Sequence, residues 1–137
     1  MHIADYMTSD VVTANLDDGL HQTFHRMRER GIRHMPVLGD DGQLAGIISD
    51  RDLRRPDFVD TDPNTTAYYR LDNAVKVGTA MTASPDTVKA ADSVEIALEI
   101  FVMRKHGALP VVDDAGKLVG VVSAHDLLRA FRDHLAQ

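Results

Sequence analysis

The chain has 137 residues, is 44% hydrophobic and 26% charged, and carries a net charge of −6, the composition of a folded domain large enough to bury a real core. No apolar run approaches the roughly 18–20 residues of a membrane-spanning helix, and the negative charge argues against non-specific binding to DNA, RNA or anionic membrane. The lack of cysteine excludes disulfides and thiolate metal sites; the opening Met1-His2-Ile3-Ala4-Asp5 has neither the basic nor the apolar region of a signal peptide, so a cytoplasmic location is expected.

In chain order, Asp18 is placed to cap a helix whose apolar positions are Leu20, Phe24 and Met27, continuing to Ile32. Met35-Pro36-Val37-Leu38 reads as a short strand, its proline suiting a strand start or edge. Gly39-Asp40-Asp41-Gly42 is turn chemistry and residues 44–48 are the return strand, which makes a hairpin. A helix is expected to begin near Ser49. Pro56, Asp57, Asp60, Asp62, Pro63 and Asn64 then mark an irregular polar stretch. Residues 67–71 read as a short helix in which Tyr68 and Tyr69 are packing anchors, leading to a strand over 75–77. The pattern recurs as a helix from Asp92 to Arg104, a strand over 109–112, the turn Asp113-Asp114-Ala115-Gly116, a strand over 118–122, and a helix from Ala124 to about Leu135.

The recurrence is a true repeat. Residues 7–55 lie over 81–129 without a gap, 74 positions apart, with 15 identical pairs, among them Met7/Met81, Pro36/Pro110, Gly46/Gly120, Ser49/Ser123 and Asp52/Asp126. Chance gives about three. Two copies of this length are expected to pair around one core rather than stack as a solenoid, so the expected division is a first repeat at 1–56, a linker at 57–74 and a second repeat at 75–137.

The two long helices differ. The second has a core stripe of Val94, Ala97, Leu98 and Phe101 and is also apolar at Ile96, Ile100 and Met103, where the first has Gln22, Arg26 and Glu29. A helix apolar nearly all round is buried on both sides. Ile96, Ile100 and Met103 are therefore expected to form a self-association surface of a homodimer.

The element that carries chemistry is the repeated Gly46-Ile47-Ile48-Ser49-Asp50-Arg51-Asp52 and Gly120-Val121-Val122-Ser123-Ala124-His125-Asp126. Its plainer reading is a capping box, serine and acid closing a helix start. The same groups also suit a nucleotide. Helix N–H groups and a serine hydroxyl favour phosphate, a carboxylate accepts both hydroxyls of a ribose, and Arg51 or His125 supplies a cation. Arginine is always charged and histidine is close to its titration point, so the two sites should differ. His21 and His25 share helical spacing but lack an evident third ligand, so no metal site is assigned. No nucleophile–base arrangement is visible, so no catalytic residue is assigned.

The twofold Met-Thr start, the Pro-Val strand, the Asp-x-x-Gly turn and the Gly-x-x-Ser-x-x-Asp ending together resemble a tandem pair of CBS domains, the Bateman module. The resemblance implies an α+β fold of two β-α-β-β-α repeats packed with pseudo-twofold symmetry into one compact module, commonly dimeric. It also implies adenosyl ligands bound in the clefts between the repeats. By position it implies that Ser49 and Ser123 lie near phosphate and ribose, and that Asp52 and Asp126 take the ribose diol. Thr13 and Thr87 would line the adenine pocket. His34 and Met35, or Ala108 and Leu109, would contact the base through backbone and apolar surface. The expected function is a regulatory sensor, not an enzyme, that needs no cofactor and responds to AMP, ADP, ATP, S-adenosylmethionine or NAD by conformational or dimer rearrangement. Its effector protein is unknown. The alternatives are an interaction module without ligand and, further off, a nucleotide hydrolase.

Overall fold

The structure, a computed structural model, describes residues 1–54 and 71–137. The fold is α+β, in two units that exchange their leading segments. One unit is Val12–Ser84; the other joins Met1–Val11 to Pro85–Gln137. The linker, its two tyrosines and the expected helix over 67–71 lie outside the described residues, except for Leu71.

In the Val12–Ser84 unit a four-stranded sheet runs β1 (Ala14–Asn15), β2 (His34–Leu38), β3 (Leu44–Ser49) and β4 (Thr82–Ala83), with β1 parallel to β2 and the other pairs antiparallel. Helix α1 (Leu20–Arg30) connects β1 to β2, and the short α2 (Val77–Ala80) precedes β4. Alternation along β2 and β3 sends Met35, Val37 and Ile48 into a core with Leu20, Met27, Leu53 and Val77. Pro36 lies inside β2, which is not an edge strand. Its missing N–H is tolerated because the β1 contact begins only at Val37.

Two expectations fail at the start of α1, for one reason. Asp18 is not the cap. Its Oδ2 accepts the Asn15 N–H at 3.0 Å and faces Arg26 at 3.4 Å, while Gly19 takes the cap position. Residues 75–77 are not a strand either: Lys76 makes a single bridge to Gly19 and Val77 opens α2. This segment satisfies the unpaired amides of α1 instead. The Val75 carbonyl accepts from Leu20 at 3.1 Å and the Asn73 side-chain oxygen accepts from Gln22 at 3.0 Å.

The second unit repeats the plan with α3 (Val94–Arg104), the hairpin β5 (Ala108–Val112) and β6 (Leu118–Ser123), and α4 (Ala124–Leu135). The parallel strand is reduced to a bridge from Val88 to Val111, and the edge partner to a bridge from Thr8 to Val121. Thus Met7-Thr8 packs on β6 just as Met81-Thr82 packs on β3. Glycine is required beneath each: a Cβ at Gly46 would stand 2.6 Å from the Thr82 carbonyl oxygen, and one at Gly120 3.0 Å from that of Thr8. A single-turn 3-10 helix at Ile3–Asp5 puts Ile3 into the core with Val88, Ala97, Leu109, Val111, Val122 and Leu127. Where a helix is expected near Ser49 in the first repeat, the described residues form a 3-10 turn, Asp52–Arg54, and the residues that follow lie outside the described residues.

Helix α3 buries only Ala97 fully. Leu98, expected on the core stripe, is 49% exposed, because Val94, Phe101 and Ile100 already cover the narrow contact around Ala97. Ile100 packs half-buried against its own unit's core, whereas Ile96 and Met103 are exposed.

Candidate functional site

The hairpin register builds the same corner twice. His34 lies opposite Ser49 across β2 and β3, and Ala108 lies opposite Ser123 across β5 and β6. The chain is held there by one more backbone bond, Asp50 N–H to the Arg33 carbonyl at 2.9 Å or Ala124 N–H to the Gly107 carbonyl at 3.0 Å. The helical turn then brings the acid back over the strand end.

In both copies serine and aspartate form a reciprocal capping box. The Ser49 N–H donates to Asp52 Oδ2 at 2.9 Å and the Asp52 N–H to Ser49 Oγ at 3.1 Å. The second copy gives 2.8 and 3.1 Å for Ser123 and Asp126. Each box leaves the second carboxylate oxygen and the hydroxyl proton outside the cap. Asp52 is half-buried; Asp126 is only 9% exposed, and its Oδ1 faces Arg129 Nη1 at 3.3 Å.

The structure thus gathers His34, Ser49 and Asp52 at one corner and Ala108, Ser123 and Asp126 at the other. Thr13 directly precedes the β1 pairing, and its carbonyl accepts from Arg26 Nη1 at 3.0 Å. Thr87 is exposed beside the Val88 bridge. Met35 and Leu109 send their side chains wholly into the cores, which leaves only their backbone for contact. Arg51 and His125 are exposed on the first turn after serine, one residue before the acid.

The electrostatics of the corners differ. Burial pushes the His34 imidazole below its ordinary value, partly opposed by the negative charges of Asp50 and Asp52. Asp50 also pairs with Arg54 at 3.7 Å. In the second unit Asp86, next to Thr87, takes His106 Nε2 at 2.8 Å and Arg104 Nη1 at 3.1 Å. These contacts, that of His106 first, hold its carboxyl below the usual carboxylate range. The first repeat has Val12 and Ile32 at the positions of Asp86 and His106.

Sequence reading passed over Arg129 and Asp86. Arg129 had a signal, since it is one of the identical pairs and follows the acid by three residues, one helical turn. Asp86 and His106 had a weaker one, two charged or titratable residues replacing apolar ones twenty positions apart. His25 of the considered metal pair lies 3.1 Å from Glu29. Among the described residues no group of three or more His, Asp or Glu is placed to hold a metal ion, and no helix is long and apolar enough to cross a membrane.

Known proteins share this fold. The CBS domain family matches twice, over residues 3–56 and 77–133. A CBS domain-containing protein of Dictyostelium discoideum is 32% identical over 92% of this chain and 88% of its own length. The chain spans much less of some longer relatives, such as 22% of the inosine-5'-monophosphate dehydrogenase of Mycobacterium tuberculosis. Among solved structures, CBSX2, a CBS-pair protein from Arabidopsis thaliana, has been crystallised in complex with AMP. It superposes with a TM-score of 0.77 at 27% identity, covering 96% of both chains. The CBS domain pair of protein MJ0100, in complex with 5'-methylthioadenosine and S-adenosyl-L-methionine, shares the fold with a TM-score of 0.81 at 21% identity, covering 98% of both. With two family matches that span most of its length, this chain belongs to the CBS domain family as a tandem CBS pair.

Proposed function

We propose that the protein is a regulatory sensor that binds an adenosine-containing ligand, AMP, ADP, ATP, S-adenosylmethionine or NAD, at its Ser-x-x-Asp corners. The observation that carries this reading is the doubled corner itself, in which the capping box leaves a hydroxyl proton and a carboxylate oxygen over at the same place in both repeats. The AMP complex of CBSX2 supports the ligand class. Asp52 and Asp126 take the ribose hydroxyls, Ser49 and Ser123 donate toward ribose or phosphate, and Arg51 or His125 faces the phosphate. Thr13 and His34, or Thr87 and Ala108, border the base, which the backbone of Met35 or Leu109 contacts.

The ligand acts by differential affinity. It favours whichever arrangement of the protein, or of a homodimer joined through α3, holds these groups in binding geometry, and an effector protein reads that arrangement in the cytoplasm. No step of this scheme is chemical, so the protein is a sensor and not an enzyme. The test is calorimetric titration of the adenosyl ligands against wild type, Asp52→Asn and Asp126→Asn. Asparagine keeps an acceptor for the cap but removes the charge and an acceptor from the ribose contact.

A further inference from the structure

Each corner carries one imidazole, at a different place. In the first, His34 stands opposite Ser49, and Ile32, two residues earlier, packs against the core. In the second, Ala108 stands opposite Ser123, and the histidine is His106, two residues earlier. The exchange moves the ring by up to about 7 Å along the chain, from the residue facing serine to a contact with Asp86, which directly precedes Thr87.

The second imidazole is fixed in orientation and in tautomer. Asp86 accepts from His106 Nε2 at 2.8 Å and from Arg104 Nη1 at 3.1 Å. These contacts hold its carboxyl below the usual carboxylate range, and an ionised carboxylate has no proton to give, so Nε2 is the donor. In the neutral ring the lone pair then lies on Nδ1. Among the described residues Nδ1 has no hydrogen-bond partner. The side chain is 32% exposed, so a ligand can reach it.

The backbone on both sides of the pair is held under strain. Among the described residues two non-glycine residues adopt the left-handed conformation, Ser84 at φ 49° and Lys105 at φ 54°. One lies two residues before Asp86 and the other directly before His106. The first-repeat counterpart of Lys105 is Gly31, which takes this conformation without strain, and Asp10, the counterpart of Ser84, does not take it. Such strain persists where the surroundings over-determine it and is typical of ligand sites.

We propose that His106 reads the base at the second corner: its Nδ1 accepts the exocyclic N–H of a 6-aminopurine, with Asp86 and Arg104 as positioning residues. The assignment rests on the adenosyl reading above, which sets the base beside Thr87 and Ala108. His106 is joined to Gly107, whose carbonyl accepts the Ala124 N–H at 3.0 Å and closes this corner. The adenine of a nucleotide donates through its 6-amine alone, since its bare ring nitrogens are acceptors. An acceptor beside it therefore pairs with that amine. A 6-oxopurine would set its carbonyl oxygen against Nδ1, lone pair to lone pair, leaving both unpaired. At the first corner Val12 and Ile32 hold these positions and offer the base no side-chain acceptor there.

Calorimetric titration of AMP and inosine 5'-monophosphate at about pH 8, where an ordinary imidazole is neutral, tests the assignment. Asp52→Asn silences the first corner, and His106→Ile then installs the first-repeat residue at the second. The Asp52→Asn protein should bind AMP at least about tenfold tighter than the inosine nucleotide. Adding His106→Ile should bring the two affinities within about twofold. A contact that merely tethers the fold would weaken both ligands by the same factor, so an unchanged ratio overturns base reading and leaves the sensor standing. Loss of all AMP binding in Asp52→Asn alone also overturns it, whereas no binding by wild type removes the adenosyl reading itself. Nitrogen NMR of the wild-type imidazoles needs no substitution. His106 should show a protonated Nε2 and a bare Nδ1 whose resonance moves more with AMP than with the inosine nucleotide. A protonated Nδ1 in the neutral ring, or equal shifts with both ligands, would overturn the proposal.

Discussion

The Asp126 carboxylate accepts the Ser123 N–H at 2.8 Å while the Ser123 hydroxyl accepts the Asp126 N–H at 3.1 Å. One pair of side chains therefore starts α4 and still holds a hydroxyl proton outside the cap. Stability and ligand binding should separate by substitution. Ser123→Ala removes an N-cap acceptor and is expected to cost about 1 kcal/mol by chemical denaturation. Asp126→Asn retains an acceptor for the Ser123 N–H and should cost less than Ser123→Ala.

The glycines under the exchanged Met-Thr segments should be ranked by backbone clearance. Alanine at Gly46 meets the Thr82 carbonyl at 2.6 Å, while at Gly120 the Thr8 carbonyl is 3.0 Å away. Gly46→Ala is expected to lose about 1–3 kcal/mol and Gly120→Ala less, measured by urea unfolding. Equal stability of Gly46→Ala and wild type would contradict the close packing of β4 on β3.

Helices α1 and α3 end in the same left-handed turn with different residues. Gly31 closes α1 at φ 63°, where Lys105 closes α3 at φ 54°. A side chain is strained there, so Lys105→Gly should stabilise the protein by about 1 kcal/mol. A thermal melt of the variant checks the direction.

His34 sets a pH dependence. Its imidazole is held below the ordinary 6.5 in the folded protein by burial. As pH falls, the unfolded chain takes up this proton first, so the folded state loses ground. The contribution is fully present above about pH 6.5 and declines as pH falls from there toward the lower folded value. His34→Gln should flatten this part of the stability profile. An unchanged difference between wild type and variant from pH 7.5 to 5.5, on the order of two units across the ordinary value, would remove His34 as its cause.

Much of this was legible in the sequence because it was written twice. The hairpins, the turn residues and the Ser-x-x-Asp ends recur in register, and local propensity agrees with the fold at each. What could not be read was non-local. The cap of α1 comes from Asn73 and Val75, more than fifty residues after the helix begins, so Asp18 looked like the cap and 75–77 like a strand. The exchange of Met7-Thr8 onto β6 leaves no periodic trace; it shows only in the glycine beneath. Leu98 has the spacing of a core residue, but the stripe that α3 buries is narrower than its apolar surface.

The most direct test of the central claim is isothermal titration of wild type, Asp52→Asn and Asp126→Asn with AMP, ADP, ATP, S-adenosylmethionine and NAD, with thermal shift in parallel. Saturation at 100 times the dissociation constant should add about 2.7 kcal/mol of stability. The expected result is binding of at least one ligand by wild type and loss of that binding in at least one variant that melts close to wild type. No heat and no shift with any of the five at millimolar concentration, or binding unchanged in both variants, would contradict a nucleotide sensor built on the Ser-x-x-Asp corners.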